Sequence, residues 1–136
     1  MSMENGGQLM PSLPQKGVPR ILVADDEEFV CELISKVLTR QLKAQVVAVH
    51  DGAGAIAEAL SGQYNCALID LLLPKTSGFK VIKVIRTMKP DLPIIAMSTL
   101  VNEKNIKKSG IDNILQKPFK MSALLERVGE ALGVCG

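Results

Sequence analysis

Arg20-Ile-Leu-Val-Ala24, followed directly by Asp25-Asp26, decides how this chain is read. After Arg20 it is a short, unbroken apolar run, Ile21 to Ala24, that ends in two adjacent carboxylates. A strand with one wet face alternates apolar and polar residues, whereas an unbroken run marks a strand covered on both faces. Three later runs have the same form. Asn65-Cys-Ala-Leu-Ile69 leads to Asp70, Pro93-Ile-Ile-Ala-Met97 to Ser98 and Thr99, and Asn113-Ile-Leu-Gln116 to Lys117-Pro118. In an open parallel sheet, ligands bind outside the carboxyl ends of the strands. Three carboxylates, a hydroxyl and an ammonium are therefore expected to converge there, a set suited to a divalent cation and a phosphoryl group.

Amphipathic segments separate the runs. Phe29, Val30, Leu33, Ile34, Val37 and Leu38 recur at helical spacing, so they are expected to form the buried face of a first helix. Gln45 to Val49 reads as the second strand. Ala53 to Leu60 is a short Ala-rich helix closed by Ser61-Gly62. Phe79, Val81, Ile82, Val84 and Ile85 mark a third helix ended by Lys89-Pro90. Met121, Leu124, Leu125, Val128 and Leu132 mark the last, stopping at Gly133. Strand and helix thus alternate along the chain. This predicts an α/β fold, a doubly wound five-stranded parallel sheet in the flavodoxin-like order 2-1-3-4-5, with Asp26 and Asp70 as neighbours. Residues 1–17, rich in Gly, Pro, Ser and Gln, read as a disordered tail ahead of a domain over 18–134.

The bulk numbers exclude several classes. The 136 residues allow one domain with a single core. Three Phe, one Tyr and no Trp argue against binding single-stranded nucleic acid by base stacking. Net charge is +2, but residues 1–70 hold five Lys/Arg against nine Asp/Glu, and residues 71–120 hold ten against three. The basic excess reads as solvated helix faces or as a docking surface for an acidic partner. Cys31, Cys66 and Cys135 are too scattered for a disulfide framework or a zinc site, and Cys66 is expected to be a buried small hydrophobe. His50 is the only histidine, so a metal role for it is not expected. No apolar stretch approaches a membrane span and no secretory signal is visible, so a cytoplasmic protein without membrane insertion is expected.

Closely packed carboxylates repel and raise one another's pKa, so a cation must relieve them. Mg²⁺, a hard ion that takes oxygen ligands and keeps waters, fits two carboxylates and a backbone carbonyl. Lys117 adds a fixed charge. A carboxylate nucleophile can then form an acyl phosphate whose oxygens the metal and Lys117 neutralise, with Ser98 donating a hydrogen bond. Each element also has a plainer reading. Asp25 or Asp26 could cap the first helix, with Asp25-x-x-Glu28 as a capping box. Asp70 could be a loop carboxylate, Ser98-Thr99 a cap and Lys117-Pro118 an ordinary turn. All four together at successive strand ends make the plain readings improbable.

From about Val18 to Val134 the chain resembles the receiver domain of two-component response regulators. The resemblance rests on Asp25-Asp26, Asp70-Leu-Leu-Leu-Pro74 with Ser77-Gly78, Pro93-Ile-Ile-Ala-Met-Ser98 and Lys117-Pro118-Phe119. It implies that Asp70 is the phosphoacceptor. Asp26, Asp70 and the Leu72 carbonyl would bind Mg²⁺, with Asp25 acting through water. Lys117 would pair with the phosphoryl group, and Ser98 would be the switch hydroxyl. The Lys117-Pro118 peptide would be cis, which proline permits. The implied partners are a histidine kinase or histidine phosphotransfer protein upstream and a protein target downstream, with no direct nucleic-acid contact. The domain would be regulatory, self-catalysing its phosphorylation and only slow dephosphorylation, because Leu72 and Leu100 flank the approach of water.

Two departures stand out. Ile114 replaces the aromatic residue common three positions before the lysine. The segment Thr99–Gln116 is shorter than usual by about one helical turn, roughly 3.6 residues. With Val101-Asn102 at its start and Ser109-Gly110 at its end, a short or irregular fourth helix is expected. No output domain follows Gly136, so signalling by binding is expected. One alternative is a degenerate receiver that acts as a phosphorylation-independent interaction module. A weaker one is a small dinucleotide-binding domain, from Gly52-Ala-Gly54-Ala-Ile-Ala57. A D-x-D phosphatase is disfavoured because residue 27 is Glu.

Overall fold

The computed structural model describes residues 17–99, 103–108, 110–111 and 113–133. Five strands alternate with five helices: β1 (Arg20–Ala24), α1 (Glu28–Leu42), β2 (Gln45–Val49), α2 (Gly52–Ser61), β3 (Cys66–Asp70), α3 (Gly78–Met88), β4 (Ile94–Ser98), α4 (Glu103–Lys108), β5 (Ile114–Gln116) and α5 (Met121–Ala131). The strands form one sheet in the order β2-β1-β3-β4-β5, with every neighbouring pair parallel. This is the predicted order. The tail expected over 1–17 lies outside the described residues up to residue 16.

The period of two in a strand sorts the apolar runs onto two faces. Leu22, Ala24, Ala67, Ile69, Ile94, Ala96 and Ile114 face α2, α3 and α4. Ile21, Val23, Cys66, Leu68, Ile95, Met97 and Leu115 face α1 and α5. Both layers are apolar, so no polar residue interrupts β1 after Arg20, and β3 and β4 are apolar up to their last residues, Asp70 and Ser98. β2 departs from this pattern: Gln45 and Ala48 are exposed because β2 is an edge strand.

The face expected for α1 needs correction. Cys31, Ile34 and Leu38 are its buried residues, whereas Phe29 is 74% exposed and Leu33 sits at the surface. The small thiol of Cys31 takes the place against the sheet that Phe29 was expected to fill. The capping box does not form either. Helix α1 begins at Glu28 with Glu27 as an uncapped N-cap. At α2, the N-cap Asp51 accepts the Gly54 amide at 2.7 Å, so the glycine-rich turn is closed by its own chain. Gly52 is there for packing. A Cβ on it would lie 2.8 Å from Val81 Cγ2 and 3.0 Å from Thr76 Cβ, so only glycine lets α2 approach α3 this closely. Helix α4 has six residues, short as expected. The expected helix-start residues Val101-Asn102, and Ser109, lie outside the described residues, and Gly110 has φ +89°.

Candidate functional site

Parallel register brings the four strand ends to one edge. Asp70 ends β3 and pairs in register with Met97, one residue before Ser98. The Leu71 amide donates to the Met97 carbonyl at 2.9 Å, and the Lys117 amide to the Ser98 carbonyl at 2.7 Å. On the other side the Asp25 amide donates to Val49 O at 3.1 Å. Asp25, Asp70 and Ser98 are buried, while Asp26 is exposed.

Asp25 and Asp70 are held in the same way. Each gives one oxygen to the backbone amide two residues on: Asp25 Oδ1 accepts from Glu27 N, and Asp70 Oδ1 from Leu72 N, both at 2.9 Å. Each gives its other oxygen to Lys117, whose Nζ lies 2.5 Å from Asp25 Oδ2 and 3.0 Å from Asp70 Oδ2. The Lys117-Pro118 peptide is cis, as expected. Carboxylate oxygens of Asp25, Asp26 and Asp70 lie within 4.8 Å of one another.

Three carboxylates against one ammonium leave an excess of negative charge in a poorly solvated place. Burial pushes the Asp70 carboxyl above the usual carboxylate range, and the charge of Asp25 adds to this. The Leu72 amide and Lys117 oppose the rise without cancelling it. Burial alone would lower Lys117, but its hydrogen bonds to Asp25 and Asp70 and their charges outweigh that and raise it. Lys117 is thus a fixed cation. Such an array of oxygens, with charge still unbalanced, has the donor set that a hard divalent ion requires.

Three neighbours escape a reading of motifs. Glu27 Oε1 lies 3.7 Å from Lys117 Nζ and adds a third carboxylate around the ammonium. The Asp25 carbonyl is approached by His50 Nδ1 at 3.0 Å and by Cys31 Sγ at 3.3 Å. A carbonyl only accepts, so both groups donate to it and hold the Asp25 turn. Burial, then the charge of Asp25, pushes the Cys31 thiol up to about 11, and burial pushes Cys66 up to about 12. Both are packing thiols rather than nucleophiles. Leu72 is 56% exposed at the mouth of the site, whereas Leu100 lies outside the described residues. Ile114, at the position where an aromatic is common, opens β5 opposite Ala96 of β4 and is buried on the α2–α3–α4 face of the sheet.

The chain belongs to the response regulator receiver domain family, whose family model matches residues 21–129. Its relatives include the transcriptional regulatory protein DltR of Streptococcus agalactiae, 34% identical over 80% of this chain and 50% of that protein. The chain therefore spans about half the length of that curated relative. Among solved structures it is similar to the receiver domain of the sensor histidine kinase PA1611 from Pseudomonas aeruginosa, which has magnesium in its active-site cleft. The identity is 28%, the TM-score 0.76, and coverage is 85% of this chain and 98% of that one. It is equally similar to the response regulator TrrA of Thermotoga maritima in complex with Mg²⁺ and a beryllium fluoride. There the identity is 29%, the TM-score 0.76, and coverage is 84% and 99%.

Proposed function

We propose that this domain accepts a phosphoryl group on Asp70, with Mg²⁺, and thereby switches a protein-binding surface. The observation that carries this reading is the setting of the Asp70 carboxylate. It is buried at the end of the central strand, held between the Leu72 amide and Lys117, with Asp26 alongside. An Asp70 oxygen attacks phosphorus. The bond from phosphorus to the donor nitrogen or oxygen breaks, and the leaving group keeps the electron pair and takes up a proton. Lys117 would face the charge that accumulates on the phosphoryl oxygens, and Ser98 would donate to one of them.

Asp26, Asp70 and the Leu72 carbonyl are the residues that would hold Mg²⁺. By the family resemblance, Asp25 would reach the ion through water. When bound, the ion supplies positive charge to the phosphoryl oxygens. Upstream, the donor is the phosphohistidine of a kinase or phosphotransfer protein. Exposed Phe29 and Leu33, on α1 beside the site, offer it an apolar contact. Downstream, a protein target in the cytoplasm reads the switched surface.

Incubation with acetyl phosphate and Mg²⁺ should raise the intact mass by one phosphoryl group, and Asp70→Asn should abolish the rise. Labelling that persists in Asp70→Asn would place the acceptor elsewhere. No labelling of the wild type would leave an interaction module that is not phosphorylated.

A further inference from the structure

Helix α3 has 11 residues and its neighbour α4 has six. At about 1.5 Å per residue, α4 is too short to cover α3 along its length. Beside α3 lies a groove of about 1040 Å³ lined by Phe79, Lys80, Ile82, Lys83, Met88 and Ile111, among others. Its apolar side is incompletely sealed, since Met88 is 60% exposed. One end is fixed, because Arg86 Nη1 donates to the Gly110 carbonyl at 2.7 Å and ties α3 to the turn after α4.

The α3 rim is cationic, since Lys80 and Lys83 line it and are exposed. Outside the lining, α4 adds exposed Lys104, Lys107 and Lys108 on the same side of the sheet. Among the described residues, no carboxylate forms an ion pair with any of these five lysines. An open apolar floor bordered by lysines on α3 has a definite complement: a segment with an apolar stripe bordered by carboxylates.

We propose that the α3–α4 groove docks an acidic amphipathic helix of a partner protein. The stripe would cover Met88 and the floor, and the flanking carboxylates would meet the lysines. Single-stranded nucleic acid matches the charge but not the floor. Phe79 is the only aromatic side chain in the lining and is half-buried, so there is no platform for stacked bases. The groove lies on the α2–α3–α4 side of the sheet, opposite α1 and α5. The proposal does not depend on phosphorylation of Asp70.

The test uses a fluorescein-labelled helical peptide with a leucine stripe and glutamate elsewhere. Beside it stand a twin with lysine in place of glutamate, a scrambled peptide of equal charge and an oligo-dT of similar charge. Saturable binding of the acidic amphipathic peptide is expected, with amide shifts in an NMR spectrum confined to α3, α4 and the turn after it. The double variant Lys80→Glu/Lys83→Glu should weaken binding at least about tenfold. Met88→Ser, at an exposed position that leaves the fold intact by its amide spectrum, should weaken it by about threefold or more. The proposal is overturned if the acidic peptide does not bind, or if the scrambled peptide or oligo-dT binds as well. It is equally overturned if both variants bind normally, or if the groove is already occupied by a second copy of this chain in solution.

Discussion

Asp70 is strained electrostatically before any ligand arrives. A carboxyl whose folded-state pKa lies above its unfolded value holds its proton more tightly when folded. Folding then loses stability as pH rises from the unfolded value through the raised one. Asp70→Asn mimics the protonated form and removes this loss. Without metal, Asp70→Asn should be more stable than wild type at neutral pH, and the difference should vanish as pH falls below the ordinary aspartate range. Urea titrations across that range measure it, and an advantage that persists in acid would put the effect in packing instead. Asp26 contributes differently, since it is exposed and adds only repulsion. Asp26→Ala should raise metal-free stability by roughly 0.5–1 kcal/mol and weaken Mg²⁺ binding by calorimetry. Lower stability would show that Asp26 supports the turn rather than stresses it. The five polar residues of the site were legible because each ends an apolar run. Glu27, His50 and Cys31 were not, because their contacts with Lys117 and the Asp25 carbonyl arise from turn geometry and β1–β2 register, which leave no spacing in the sequence.

At the scale of elements, the loop from β3 to α3 depends on one small residue. A Cβ on Gly78 would sit 2.2 Å from the Asp70 carbonyl oxygen and 2.5 Å from Leu71 Cα, both backbone atoms that have no room to yield. Gly78→Ala should therefore destabilise the fold by about 3 kcal/mol or more, with a melting curve as the measure, and should displace the Asp70 loop. A neutral effect would mean that the loop adapts freely. Helix α4 is the opposite kind of element, brief and weakly tied. With Ile114 carrying no ring to rotate, the response to a phosphoryl group on Asp70 is predicted to run through backbone around Ser98 and α4. Hydrogen exchange with and without beryllofluoride and Mg²⁺ should change over residues 98–116. Changes confined to α1 would contradict this route. Strand and helix positions were readable from periodicity, and strand order from the succession of β-α units. The inward face of α1 was not, because apolar spacing alone cannot tell an exposed Phe29 from a buried one when a small Cys31 packs better against the sheet. Likewise, Gln45 and Ala48 in β2 reflect edge position, which local pattern does not encode.

Over the whole molecule, one ammonium joins parts of the chain that are remote in sequence. Lys117 reaches Asp25 across 92 residues and Asp70 across 47, from the strand at the far edge of the sheet. Until β5 docks, β1 and β3 bring buried carboxylates together with no lysine between them. The partly assembled sheet is then at its most repulsive where the finished one is balanced by Lys117. The counter-charge of two early strands is thus supplied by the last one, so the charge of this edge is settled only when the whole sheet is in place.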